Sequence, residues 1–330
     1  MKLGAYTVCL HDKPLPEALA VLAGMGLDSA EINSGGFVGT SHLPVADLAS
    51  SETARSEYLG QFDAAGVTLT ALNCNGNPLD PDPSGAGKQH AADIYASIEL
   101  AALLGVKRVV TMSGAPGSES TSTLPVWNVL PWHSAFLKIQ EYQWSIAVPF
   151  WTEVQAFAAD HDVKVCLEMH PGNVVYNPRT MQRLATEIGA THVGAEMDPS
   201  HLFWQGMDPT EATKVLGSLV YNAAAKDTRI NPAAQVNGTI DDSFTLAHEG
   251  DPSFLSLGGP HSLSVWPAEP SWDFVAVGRG HDLAWWTGFV AALEAIDPDM
   301  AINIEHEDLE LDQLEGLGLA ADTLLKAAGR

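Results

Sequence analysis

Three acidic residues stand at matching places in three short β-type segments: Glu168 in CLEMHPGN, Asp198 in AEMDPSH and Glu305 in NIEHED. Carboxylates gathered at one place repel one another, and their pKa values rise unless a cation sits among them. A divalent ion removes that conflict, polarises substrate oxygens and stabilises an enediolate. The three segments therefore predict a metal site at Glu168, Asp198 and Glu305. For each acid taken singly, the competing role is a cap on the helix or turn that follows it.

Histidines flank two of these acids. His201 lies three residues after Asp198, and a turn at MDPSH brings it to the same cavity as a metal ligand or a partner of a sugar hydroxyl. A histidine satisfied within its own loop is the alternative. His170 lies two residues past Glu168 and so shares its strand face. Imidazole titrates near neutral pH, which makes His170 the first candidate for general base. Glu168 and Glu305 are the alternatives where ligation leaves them free, and the competing role for His170 is to position Glu168. His306 has the opposite parity to Glu305 and reads as a supporting or packing residue.

Further candidates lie on the segment LVYNAAAKD (219–227), where Asn222, Ala224 and Lys226 share one face. Lys226 is expected either to bind a substrate oxygen or to neutralise an acid, Asp227 among them. Arg229, in the next loop, suits substrate hydroxyls or a carboxylate, with a surface role as the alternative. Trp127, Trp132, Tyr142 and Trp144 fall in one long connection, Trp204 follows His201, and Trp266 and Trp272 fall in another. Such aromatics, Trp204 included, supply a lid or a platform for a ring-shaped substrate; otherwise they bury loops against the main body or a partner.

These residues need elements that bring them to one place. Strand-type runs at 3–8, 29–33, 67–74, 106–114, 163–170, 191–198, 219–227 and 300–308 alternate with helical periodicity at 16–26, 90–105, 148–161, 180–189, 208–218, 282–296 and 314–328. Alternation of this kind builds a parallel sheet flanked by helices. Eight units with polar residues at successive strand ends favour a single closed (β/α)8 barrel over residues 1–330, rather than an open doubly wound sheet. Residues 115–146 and 228–280 read as long strand-to-helix loops, rich in Gly, Pro, Ser and Trp. GGFVG (35–39) is a poor stand-in for a dinucleotide fingerprint, so no nucleotide cofactor is expected.

Acidic residues number 41 against 16 basic ones, which disfavours nucleic acid and anionic lipid as partners. No apolar run is long enough for a membrane span, and the opening MKLGAYTVCL reads as a first strand rather than a signal segment. Cys9, Cys74 and Cys166 each fall in a strand-type run without metal-binding spacing; buried free thiols in the cytoplasm are expected.

The segments LEMHPGNVVYNP, MDPSHLFWQGMDP, AAAKDTRIN, GRGHD and INIEHED, with LGAYT and VKRVVTMSG, resemble the xylose-isomerase-like superfamily of sugar isomerases and epimerases. The likeness spans most of the chain. It implies a divalent ion, most often Mn2+, at Glu168, Asp198 and Glu305, with His201 beside it and Arg229 on the substrate, a sugar or keto-sugar. It implies proton transfer next to a carbonyl. One departure stands out: where relatives carry a histidine-containing segment such as HVHAKD, this chain has NAAAKD. The fourth protein ligand is then absent or supplied by His201, Asn222 or water. A narrower likeness is to the large subunit of bacterial C-glycoside deglycosylases, which implies elimination from a 3-oxo-C-glycoside with a small β-rich partner subunit. A non-catalytic sugar-binding or scaffold subunit, or an oligomer, is the remaining expectation.

Overall fold

In SAEIN, KVCLE, VGAEM and AINI, residues of one parity are apolar and those of the other are mostly small or polar, so each of these strands has one face for helices and one for a polar interior. The structure, a computed structural model, describes residues 1–240, 242–251 and 254–330. Eight parallel strands form: β1 (Lys2–Tyr6), β2 (Ser29–Asn33), β3 (Thr68–Asn73), β4 (Arg108–Met112), β5 (Lys164–Glu168), β6 (Val193–Met197), β7 (Val220–Ala225) and β8 (Ala301–Ile304). Each pairs with the next in sequence, and β8 returns to β1, so the sheet is a closed barrel. Closure leaves no unpaired edge.

Outward side chains such as Leu3, Ile32, Val165, Leu167 and Ile302 pack against the surrounding helices in one large apolar core. Trp151 and Trp286 are the largest fully buried side chains there, and Trp151 Nε1 donates to the Ser113 carbonyl at 3.0 Å. Facing the other way, Ala71, Val110 and Cys166 form a small separate apolar cluster. The other inward positions are mostly polar, among them Glu31, Asn73, Glu168, Glu196, Asn222 and Asn303, all buried. Among the described residues, no helix is long and apolar enough to cross a membrane.

Both long connections hold more structure than their composition suggests. The helix expected at 148–161 begins at Ser134 and runs to Asp160, with Pro149 inside it. Proline favours the first turn of a helix, which places the start near Pro149 when sequence alone is read. Burial of Trp144, Ala147, Trp151, Val154 and Ala158 along one face sustains the longer helix, and His133 caps it. In the second connection, Asp227–Ile230 pairs antiparallel with Trp272–Val275, and Ser256–Gly258 with His261–Ser262. All three cysteines are buried and free as expected, but only Cys166 lies in a strand. Cys9 lies in the 3-10 turn Thr7–Leu10, and Cys74 follows the end of β3.

Truncation of Trp151 removes a fully buried indole and its hydrogen bond. Trp151→Ala should lower unfolding free energy by about 3–5 kcal/mol, read as a fall in urea midpoint at unchanged slope. A loss below about 1 kcal/mol would show that the helix Ser134–Asp160 is not anchored there.

Candidate active site

The end of β5 delivers Glu168, and the end of β6 delivers Asp198 one residue past the strand. Asp198 caps the short helix Pro199–Phe203: its Oδ1 accepts from the Ser200 amide at 2.7 Å and its Oδ2 from the Ser200 hydroxyl at 2.9 Å. Asp198 thus takes the capping role, and the capped helix aims His201 back at the acids. His201 Nε2 lies 3.0 Å from Glu168 Oε1 and 3.3 Å from Asp198 Oδ2. Glu305 follows β8, and an oxygen from each of Glu168, Asp198 and Glu305 can be chosen so that all lie within 4.8 Å of one another. Glu168, His170 and His201 form a second such group.

Lys226, just past β7, supplies the cation of this cluster. Its Nζ lies 2.6 Å from Glu307 and 3.4 Å from Glu305, with the Phe274 ring at 4.3 Å. Its partners are therefore Glu305 and Glu307 rather than Asp227. Burial pushes Glu305 well above the usual carboxylate range and Asp198 up to about 7, with Glu168 adding to both and Lys226 opposing. Burial also opposes charge on Glu168, but the His201 hydrogen bond, His170 and Lys226 together hold it at about 2. Burial drives His201 down to about 3, so its ring is neutral near pH 7.

These residues fit a divalent cation. Two buried carboxylates and a half-buried one converge, and the ammonium beside them is already shared with Glu307. Oxygen donors with one histidine suit a hard ion. Of the two β7 positions where the resemblance leads one to expect histidine, Ala224 has a methyl that offers no ligand. Asn222 is engaged elsewhere, donating to Glu196 at 2.8 Å and Glu31 at 3.2 Å. His201 is the nitrogen that touches the acids.

Several polar residues of the site escape the sequence reading. Glu31, on β2, accepts amide hydrogens from Asn73, Asn222 and Asn303, and Glu196 lies beside it through Asn222. Burial raises both, the three amides restraining Glu31. Asn75 donates to Glu168 at 2.5 Å. Among the described residues, the buried Tyr6 hydroxyl has no hydrogen-bond partner, and Glu31, Glu305 and Glu168 all act on it electrostatically. Parity was the available signal: Glu196 lies two residues before Asp198, and Glu31 sits mid-strand in SAEIN.

The motif GRGHD closes the site from the side. Asp227, fully buried, accepts backbone N–H groups from Thr228, Gly278, Gly280 and His281, and the His281 ring and Trp286 indole as well. Gly278 adopts φ +96°, and a Cβ on Gly280 would meet Asp227 Oδ1 at 2.6 Å, so both glycines are required by this clasp. Arg279 binds Asp308 and Glu310. Arg229 binds Asp273 and Glu310, which fixes it in the hairpin rather than leaving its guanidinium free. His306 is half-buried with an unpartnered Nδ1.

Trp204 is buried and stacks on Trp272 with centroids 4.9 Å apart and planes 2° from parallel. Trp266 and Phe274 meet Trp272 edge-on, and Phe274 also meets His201 at 5.4 Å. The aromatics of the second excursion thus wall the site beside His201. Trp132, by contrast, is 88% exposed.

A closed (β/α)8 barrel with acids, histidine and lysine at its C-terminal strand ends defines the class of a barrel enzyme scaffold with a metal-competent mouth. The chain belongs to the xylose isomerase-like TIM barrel family, whose pattern it matches over residues 19–326. It is 34% identical over 329 residues to the uncharacterized protein YfiH of Bacillus subtilis, covering 98% of each chain. Its fold is similar to a xylose isomerase-like TIM barrel protein from Mycobacterium smegmatis in complex with magnesium (TM-score 0.63, 15% identity, covering 99% and 96% of the two chains). It is likewise similar to 3-keto-D-glucoside 4-epimerase YcjR from E. coli (TM-score 0.60, 14% identity, all of both chains covered).

The arginine network sets a pH response for the excursion. Arg229 and Arg279 hold Glu310 at about 2, and the Ala276 amide with Arg279 pulls Asp308 below its usual range although burial opposes this. Folded values that are depressed give stability present above the ordinary carboxylate pKa and lost as pH falls toward the folded value. Protection factors across 272–281, with the intrinsic pH dependence of amide exchange divided out, should therefore stay flat from neutrality to about pH 4 and fall below it. A transition near neutrality instead would show that another group controls the hairpin.

Proposed function

We propose that this protein is a divalent-cation-assisted isomerase or epimerase of a sugar or keto-sugar, moving a proton on a carbon next to a carbonyl. The observation that carries the reading is the convergence of Glu168, Asp198 and Glu305 within 4.8 Å, beside His170 and His201. Membership of the xylose isomerase-like family supports it. A cation bound there supplies Lewis-acid polarisation of the substrate carbonyl and its neighbouring hydroxyl. Glu168, Asp198 and Glu305 hold it, with His201 as the fourth protein donor; the hard donor set suits Mn2+ first, and Mg2+ next.

His170 is the proposed general base. Its Nδ1 faces the Pro171 carbonyl at 2.5 Å, and a carbonyl only accepts, so the ring hydrogen is on Nδ1. Nε2 then carries the lone pair that takes the carbon-bound proton. The ring packs against His201 with centroids 4.1 Å apart, beside Glu168, and is only half-buried, which leaves it open to a substrate. Lys226 and the Tyr6 hydroxyl are placed to bind substrate oxygens as negative charge develops. Trp204 and its stacked partner wall the ring of the substrate. Arg229 serves through the hairpin it anchors. Return of the proton to the neighbouring carbon isomerises the substrate, and return to the opposite face epimerises it.

The test incubates Mn2+-loaded protein with keto-sugars and 3-oxo-C-glycosides in deuterated water, with and without a small β-rich subunit, and weighs the products. Solvent deuterium in an isomer or epimer is the expected result. Glu168→Gln should lose bound metal and turnover together. His170→Ala should keep its metal and lose about 100-fold or more in turnover. Aglycone release in place of isomer would assign the chain to C-glycoside cleavage, and no exchange on any substrate would overturn the proton-transfer reading.

A further inference from the structure

A second cavity, of about 640 Å³, lies between the first long connection and the helices Ser134–Asp160 and Pro178–Ile188. That volume is in the range of small-molecule sites. Its wall is aromatic: Trp127 meets Tyr176 edge-on at 5.5 Å and 89°, and Trp144 lies alongside. Two arginines, one helical turn apart, complete the lining.

The charged groups of this cavity are both cations. Arg179 makes no hydrogen bond or ion pair among the described residues. Arg183 lies over the Trp144 ring at 4.0 Å and uses only its Nε on Glu187, which leaves its terminal nitrogens uncommitted. Among the described residues, the buried indole Nε1 of Trp127 has no partner. No Asp or Glu is among the described lining residues, in a chain where acids outnumber bases 41 to 16. A cavity with two arginines and no acid in its described lining, on an acidic protein, selects for an external anion.

We propose that this cavity is a binding site for a small flat ring carrying an anionic group, an aryl carboxylate or an aryl phosphate. The ring stands in the corner made by Trp127 and Tyr176, and the anion takes the planar fork of Arg179 with help from Arg183 and the Trp127 N–H. The site is separate from the barrel mouth and does not depend on the reaction there. Trp127 is the link between the two, since its ring also meets Trp204 at 6.4 Å, and Trp204 lies three residues past His201.

The experiment titrates the full chain with benzoate, phenyl phosphate and neutral benzyl alcohol, followed by calorimetry and tryptophan fluorescence. One saturable site for benzoate or phenyl phosphate is expected, and the stronger of the two identifies the head group. Benzyl alcohol should bind about tenfold or more weakly, as should either anion to Arg179→Ala, the worth of one charge-assisted hydrogen bond. Arg183→Ala on the next turn should weaken it as well. Arg179 is exposed, so its removal leaves the fold intact, which circular dichroism checks. Glu168→Gln should leave binding unchanged. No saturable anion binding, equal binding of benzyl alcohol, indifference to Arg179→Ala, or loss of binding in Glu168→Gln would each overturn the proposal.

Discussion

Carboxylates buried inside a barrel are the constraint around which this molecule is arranged. An ionised acid taken out of water is costly unless it is hydrogen-bonded or paired. Each acid here is met by a different device. Glu31 receives three asparagine amides, Glu168 an asparagine and a histidine, Asp198 the start of a helix, and Glu305 a lysine. The inward faces of β2, β3, β7 and β8 carry asparagines where many barrels carry branched apolar residues. The polar interior is thus a consequence of the acids at the mouth, extended downward by amides that each serve two neighbours.

Compensation is incomplete where chemistry would take place. Glu31 is satisfied on both oxygens, whereas Asp198 and Glu305 remain raised and, among the described residues, the Tyr6 hydroxyl and one Glu196 oxygen have no partner. Low-dielectric surroundings strengthen whatever charge finally enters. Ala224 on β7 offers no polar group there, and Lys226, two residues on, brings a positive charge to Glu305.

Much of this was legible in the residues. Strand ends bearing Glu168, Asp198 and Glu305 pointed to one rim because parallel strands in a closed sheet all end on the same side. DPSH pointed to His201 because an aspartate followed by proline starts a helix and turns the chain. Other features were hidden for physical reasons. Asn73, Asn75, Asn222 and Asn303 have no individual signature, since their role arises from neighbours far away in sequence. Pro149 disguised the long helix because tertiary burial of one face outweighed a local break. Arg229 looked available for a ligand because Asp273 and Glu310, which bind it, lie 44 and 81 residues away.

The neck of the second excursion has a consequence for how such chains can diverge. Asn231 donates to the Pro270 and Ser271 carbonyl regions, its amide to Ser271 at 2.9 Å and its side chain to Pro270 at 3.1 Å. Below that point Asp227 clasps the returning strand's end. The two ends of the chain between residues 231 and 271 are thus joined at a fixed neck, which Thr239 and Trp266 from within that stretch also meet at Trp272. Closing a flexible segment costs entropy that grows only with the logarithm of its length, about 0.6 kcal/mol per doubling. Insertions and deletions can accumulate in that stretch at small thermodynamic cost while Lys226 and the acids keep their positions. The architecture separates a stretch whose length can change from a base, Asp227 and the amides it receives, that must stay as it is.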